Sequence, residues 1–394
     1  MSRFSLSRSV LKDSLLDGRA GYVYQPKVAF ASGLIVGAEA LLRFRQADGL
    51  EIGADILIPA MDSADILHEL LPNLVPRLAD DIAVLREAGL ELPIAFNVTA
   101  DDLVHGRVTR VLNDLLEAGR LHKGDVSVEV TESEVLQENT RAELAALLAM
   151  GIAVGMDDFG TGYSSIDTLS RFPFSYIKID YGLVSRLQSD PKNIGLARSI
   201  ISLGRELALE TIVEGVETEW LYNVFLFSGC GQAQGNYISP PVPLDEFIAL
   251  AKQGTRWPSS PIGLLYNAQV NHLSYRKAIL DFVYVCHDTH MNNVEACRDV
   301  LTTHISHNPQ RCRLGRWYYA ARERSDDYTK EPAFRLLEEP HRELHATGSA
   351  LIDAVVAGAD KTRVLHLVGD LQRYSDIVGE LLGSLIERAS WREK

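Results

Sequence analysis

Seven apolar runs in the first two-thirds of this chain end on side chains that can bind a cation or handle a proton. In order these are Glu39, Asn97, Glu129, the pair Asp157 and Asp158, Lys178 with Asp180, Glu214, and Gln234. Carboxylates brought to one point repel strongly unless cations neutralise them. Oxygen donors without cysteine or histidine suit Mg²⁺ or Mn²⁺ rather than zinc. A lysine among them offers a proton-transfer group or a charge for a phosphate. A single acid after a strand is commonly a helix N-cap, and Asp158 or Asp180 could each serve that way. Capping does not explain an amide, a lysine and several carboxylates recurring at one register.

Softer donors crowd the last third, where eight of the eleven histidines lie. His341 and His345 are four apart, so on a helix they project from one face and can share an ion. They need further ligands from other helices, and His272 and Cys312 are candidates. A rival set, Cys286, His287, His290, His304 and His307, has helical spacings typical of surface histidines.

The elements that position these residues differ between the two parts. At 394 residues the chain exceeds the ~250–300 at which one core stops growing, so two domains are expected. Up to residue 252, β-branched runs such as Ile94–Val98 and Val126–Val130 alternate with amphipathic segments such as Thr140–Met150. That alternation predicts an α/β domain, doubly wound or a closed (β/α)8 barrel. In a barrel, the C-terminal ends of the strands would bring the polar residues to one face. Residues 253–263 (QGTRWPSSPIG) read as a linker, and 264–394 as a helical bundle with no convincing strand.

The net charge of −14 is unevenly shared: residues from Gly263 onward carry 17 basic and 18 acidic side chains, so nearly all the excess belongs to the first domain. A field of that sign opposes nucleic-acid polymers and anionic membranes, and any anionic ligand must be held locally. No run approaches the roughly 20 apolar residues of a membrane span, and the start lacks a signal-peptide core. Four irregular cysteines do not make a disulfide framework and point to a reducing cytoplasm.

Eight ordered segments then identify a family: YQP at 24–26, EALLRF at 39–44, FNVT at 96–99, EVTES at 129–133, DDFGTGYSS at 157–165, KID at 178–180, EGVET at 214–218 and QGNYISPP at 234–241. Residues 19–252 resemble the EAL phosphodiesterases, which hydrolyse the bacterial second messenger cyclic di-GMP. The resemblance implies a (β/α)8 TIM-type barrel that opens cyclic di-GMP to linear pGpG using two Mg²⁺ or Mn²⁺ ions. By position, Glu39, Asn97, Glu129 and Asp157 would hold the first ion, and Asp157, Asp158 and Glu214 the second. Lys178 would touch the attacking water. It would be a candidate general base; its acidic neighbours raise its pKa, which favours a water-positioning, charge-stabilising role and leaves proton removal by it open. Gln25, Arg43, Asp180 and Gln234 would lie on the substrate side, Arg43 against a phosphate. Phe159, Gly160, Thr161 and Gly162, steadied by Glu132, would form a control loop linked to a dimer partner. Pro59–Leu67 (PAMDSADIL) departs from the family pattern, in a helix that carries no ligand.

NHLSYRKAI around His272, CRLGRWYY around Cys312 and PHRELH around His341 and His345 resemble the chemoreceptor zinc-binding (CZB) domain. That resemblance implies one zinc on His272, Cys312, His341 and His345. Three neutral imidazoles and a thiolate make a closed, tetrahedral site of structural or sensory type. Together the two resemblances imply a cytoplasmic, homodimeric phosphodiesterase regulated by zinc or by oxidation of its thiolate, with a possible chemotaxis or signalling partner. A non-catalytic cyclic di-GMP receptor, whose C-terminal domain mediates dimerisation or partner binding, is the alternative. Residues 1–18 read as a docking segment or a frayed tail.

Overall fold

The computed structural model describes residues 7–46, 49–63, 65–131, 140–160, 168–169, 172, 174–187, 192–207, 209–288, 308–324 and 327–392. Nine strands form one sheet: β1 (Ala20–Ala29), β2 (Leu34–Arg45), β3 (Glu51–Gly53), β4 (Ile94–Asn97), β5 (Val126–Thr131), β6 (Ala153–Phe159), β7 (Tyr176–Ile179), β8 (Glu210–Val213) and β9 (Gln232–Gln234). Around them lie helices α1 (Arg8–Asp17), α2 (Ala54–Ser63), α3 (Leu70–Glu87), α4 (Ala100–Val104), α5 (Arg107–Glu117), α6 (Thr140–Ala149), α7 (Tyr181–Ser185), α8 (Lys192–Glu206), α9 (Glu219–Ser228) and α10 (Leu244–Gln253).

The sheet closes on itself as an eight-stranded barrel, because β1 pairs with both β9 and β2, while β3 is a short outer partner of β2. This is the TIM-type barrel expected from sequence, with one difference. Strands β2 and β4 to β9 run parallel, but β1 is antiparallel to both its neighbours. The reason is the connection. Only residues 30–33 join β1 to β2, and a parallel crossover needs about a dozen residues. Gly33 supplies the left-handed backbone of that hairpin, with φ +66°.

The alternation of β-strand side chains builds the interior in layers. Gln25, Glu39, Asn97, Glu129, Lys178 and Gln234 form the layer at the C-terminal mouth. Two residues deeper on the same strands lie Lys27, Gly37, Ala95, Ser127, Tyr176 and Gln232. Outward-facing residues such as Phe96, Val128 and Ile177 pack with the helices in one large apolar core. Helix α1 is part of this domain. Its Leu11 and Leu15 are buried against Leu42, Phe44 and Leu74, so a segment left apart in the sequence reading packs as an integral helix.

Among the described residues, five helices form the C-terminal bundle: α11 (Pro261–Asp288), α12 (Arg313–Arg324), α13 (Pro332–Leu336), α14 (Glu338–Val356) and α15 (Lys361–Arg392). One apolar cluster joins Leu265, Leu314, Phe334, Leu337 and Leu382; a second joins Ile279, Leu344, Leu351 and Leu371.

The bundle rests on the barrel through α11. Arg205, at the end of α8, lies 3.8 Å from the Tyr266 ring centre. Lys277 donates to the Leu207 carbonyl at 3.4 Å. The stretch read as a linker is itself fastened, with Trp257 N donating to Gly33 O at 2.9 Å and Tyr222 Oη to Pro258 O at 2.8 Å. Gly229 ends α9 in the left-handed conformation, φ +77°, and a Cβ there would lie 2.1 Å from the Tyr266 ring. Gly229→Ala is therefore expected to lower stability by about 1–2 kcal/mol and to expose residues 254–260 to protease. Denaturant melts and limited proteolysis measure both.

Candidate active site and metal centres

The centre of the barrel site is Lys178, whose side chain is buried on β7. Its Nζ lies 3.1 Å from Glu39 Oε2, 2.7 Å from Glu129 Oε2, 3.1 Å from Asp157 Oδ2 and 2.5 Å from Glu214 Oε1. Asn97 Nδ2 donates to Glu39 Oε1 at 2.6 Å. Gln234 Nε2 donates to Glu39 Oε2 at 2.7 Å and to Gln25 Oε1 at 2.9 Å. Four carboxylates, from β2, β5, β6 and the end of β8, thus converge on one ammonium group.

Asp157 and Asp158 reach this site together only because β6 is irregular. The pairing of β6 with β7 slips between Met156 and Phe159, and Asp158 takes a left-handed backbone, φ +57°. In a regular strand two successive side chains face opposite ways; a bulge re-aims them. Oxygens of Asp157, Asp158 and Glu214 come within 4.8 Å of one another, as do those of Glu39, Glu129 and Asp157. Asp157 belongs to both groups. All-oxygen donors in two clusters with one shared carboxylate fit a pair of hard divalent cations.

The electrostatics follow from burial and neighbours. Burial raises the Lys178 ammonium's tendency to lose its proton, but Asp157, Glu129, Glu214 and Glu39 outweigh it and hold the pKa well above the ordinary value. Burial pushes Glu214 up to about 8, against the pull of Lys178, and raises Glu39 for the same reason. Glu129 goes the other way: burial opposes its charge, yet Lys178 and Lys27 draw it down to about 2.

Of the remaining expected residues, Arg43 sits four positions beyond Glu39 on the same face of β2 and donates Nη1 to the Leu42 carbonyl at 2.8 Å. Asp180 caps α7, accepting from Leu183 N at 3.2 Å, so its side chain serves the role of a helix cap. Phe159 is buried at the end of β6, and Gly160 packs toward Ile200 of α8 and Leu183. Glu132, Thr161 and Gly162 lie outside the described residues. Sequence reasoning passed over Lys27, whose Nζ lies 2.6 Å from Glu129 Oε1, and Tyr176, whose hydroxyl donates to the same oxygen at 3.0 Å. Each is two residues from a recognised position, a spacing that marks the next layer of a barrel interior.

In the bundle, a polar layer separates the two apolar clusters. Cys312 Sγ lies 3.2 Å from His341 Nε2, and ligand atoms of Cys312, His341 and His345 all lie within 4.8 Å of one another. The His341 and His345 rings are 4.9 Å apart, and Tyr275 packs on His345 at 4.1 Å. His272 is not in that triplet of ligand atoms. It is buried at 2% exposure, and its Nε2 meets the Ser375 carbonyl at 2.9 Å, so Nε2 carries the proton. Among the described residues its Nδ1 is left buried without a hydrogen-bond partner, as a lone-pair donor. A thiol, two clustered imidazoles and a third with its second nitrogen held by a carbonyl suit zinc. Cys286 is half-buried in the second apolar cluster; His290, Cys297, His304, His307 and the His287 side chain lie outside the described residues.

Comparison with known proteins accounts for both halves. The EAL domain family model matches residues 8–241, and the chemoreceptor zinc-binding domain model matches residues 287–352. The chain belongs to the EAL family and carries a CZB domain after the barrel. His272 precedes the matched CZB segment. An uncharacterized Mycobacterium tuberculosis protein is 34% identical over 225 residues, covering 56% of this chain and 36% of that protein. The cyclic di-GMP phosphodiesterase RocR of Pseudomonas aeruginosa is 30% identical over 227 residues, 57% of this chain and 58% of RocR. The chain thus spans less than two-thirds of either relative. Among solved structures, the PaMucR phosphodiesterase in complex with c-di-GMP is 32% identical, with a TM-score of 0.57, covering 60% of this chain and 97% of that one. No helix among the described residues is long and apolar enough to cross a membrane.

Burial lowers the pKa of His272 and of His341 to about 4, helped at His272 by the neighbouring His341 and Arg276. The unfolded chain takes up these protons near 6.5 and the folded chain only near 4. Stability of the metal-free protein is therefore full above the unfolded value and is lost as pH falls through that window. The loss is about 1 kcal/mol or more per pH unit, with a smaller slope in His341→Leu. Chemical melts after chelation, between pH 7 and pH 5, check this.

Proposed function

We propose that the barrel hydrolyses cyclic di-GMP to pGpG with two Mg²⁺ or Mn²⁺ ions, and that zinc bound in the bundle regulates this activity. The observation that carries the first part is Asp157, shared by two clusters of carboxylate oxygens that surround the Lys178 ammonium. Glu39, Asn97, Glu129 and Asp157 would hold one ion; Asp157, Asp158 and Glu214 the other. Bound there, such ions polarise a phosphoryl oxygen and acidify the attacking water. Lys178, its proton retained by its acidic neighbours, donates hydrogen bonds and stabilises developing negative charge rather than removing a proton. Gln234 fixes Glu39 and Gln25 in one line across the β9–β1–β2 seam. Arg43, four positions beyond Glu39 on β2, would take a substrate phosphate. RocR and the PaMucR complex, named for the same activity and ligand, support the reading.

The regulatory part rests on packing. Helix α8 touches Gly160 through Ile200 and the bundle through Arg205. On α11, Tyr266 meets Arg205 and Gly229, and His272 follows six residues later. A shift of α11 on zinc binding or thiolate oxidation would press on a helix that borders Gly160. A homodimer and a cytoplasmic setting belong to the same reading.

Purified protein with Mg²⁺ or Mn²⁺ is expected to convert cyclic di-GMP to pGpG, and Glu39→Ala to lower the rate by more than about 100-fold. Binding without pGpG formation would make the barrel a receptor. Metal analysis is expected to find one zinc per chain. Cys312→Ala should weaken zinc binding at least about tenfold; unchanged stoichiometry and affinity would remove the thiolate from the site. Phosphodiesterase rates with and without a strong zinc chelator, at fixed Mg²⁺, test the regulation.

A further inference from the structure

Glu129 is the most enclosed carboxylate of the barrel site, with no exposed surface. Its two oxygens have different surroundings. Oε2 faces the mouth and lies 2.7 Å from Lys178 Nζ. Oε1 faces inward and receives two donors from the next layer, Lys27 Nζ at 2.6 Å and the Tyr176 hydroxyl at 3.0 Å. The Tyr176 hydroxyl also lies 3.1 Å from Ser127 Oγ, which can donate to it while it donates to Glu129. Lys27 and Tyr176 are 5% and 7% exposed, and the Lys27 ammonium sits 5.5 Å from the Tyr176 ring centre.

The surrounding chain is shaped for this arrangement. Gly155 lies beside the Tyr176 ring, where a Cβ would approach to 2.1 Å. Any larger residue at 155 would push the ring off its path to Glu129. Lys27 and Tyr176 also line a cavity of about 310 Å³ that extends to the N-terminal mouth, so both approach Glu129 from the side opposite the substrate face.

We infer that Lys27 and Tyr176 are positioning residues that occupy one oxygen of Glu129, so that it offers a divalent cation a single ligand atom. The inference rests on the proposed two-ion hydrolysis and assigns residues that reading leaves out. Charge gives the arrangement a purpose. In the fully ionised form that binds cations, five carboxylates face two ammonium groups, Lys178 and Lys27, a surplus of three negative charges. Two divalent cations turn that surplus into one positive charge, the complement of one phosphodiester. Without Lys27 the loaded site would be neutral, and Glu129 could turn both oxygens on the ion, satisfying it and weakening its pull on the substrate oxygen.

This produces a signature that general damage to the site does not. In Lys27→Met, Mn²⁺ is expected to bind several-fold more tightly by calorimetry while kcat falls about 10–100-fold and KM for cyclic di-GMP stays within about threefold. Tyr176→Phe leaves the charge unchanged, so Mn²⁺ affinity should stay within about twofold while kcat falls about tenfold. Weaker Mn²⁺ binding in Lys27→Met, or kcat within about twofold of the parent in either variant, overturns the inference. Thermal melts establish that each variant is folded; should Lys27→Met not fold, the kcat of Tyr176→Phe decides alone. A parent chain that binds Mn²⁺ but forms no pGpG overturns the hydrolase reading instead, and the Mn²⁺ titrations then still test the role of Lys27.

Discussion

The barrel site depends on a buried ammonium group set among carboxylates that repel one another. Two like charges 4 Å apart cost about 4 kcal/mol at an effective dielectric of 20, and the mouth of the barrel gathers several such pairs. Lys178 meets four of them directly. Burying a charge is costly unless it is paired and hydrogen-bonded, so the lysine and the acids enforce one another's positions. The opposite pKa shifts of Glu129 and Glu214 express the same constraint. The acid with two lysine partners is driven toward ionisation, and the one at the edge with a single partner toward protonation. An arrangement that needs so much positive charge is one that divalent cations can complete.

Backbone irregularities give the site its shape. The reversed β1 brings Gln25 opposite Glu39 and Lys27 opposite Gln234, so that one strand serves two interior layers. The slip in β6 lets adjacent aspartates act on one side of the sheet. A left-handed Asp158 costs of order 1–2 kcal/mol, which the surrounding barrel offsets. Strain of this kind persists where chemistry requires it, and here it falls on Asp158, next to the one carboxylate shared between the two oxygen clusters.

The bundle repeats the logic with softer donors. His272, His341, His345 and Cys312 lie in a polar layer between two apolar clusters, where burial favours the neutral imidazoles of His272 and His341 that a zinc ion requires. Helix α11 carries His272 and also provides the bundle's contact with α8 and α9. One helix therefore belongs both to the candidate zinc layer and to the barrel surface.

The alternation of apolar runs and amphipathic segments determined an α/β domain, doubly wound or barrel, followed by a helical bundle. The residues closing those runs determined the upper layer of the site. Motif order carried the family, since eight segments in sequence leave few other arrangements. Local pattern could not reveal the reversal of β1, which follows from a connection too short for a helix. Nor could it place Asp157 and Asp158 on one side, because strict alternation argues against it. Lys27 and Tyr176 escaped notice for a related reason: each looks like an ordinary strand residue until closure of the barrel brings β1, β5 and β7 around one carboxylate. The chain itself specified which donors exist and roughly where along each strand they lie. Only closure of the barrel and the packing of α11 decided which atoms meet, because those contacts join residues more than forty positions apart.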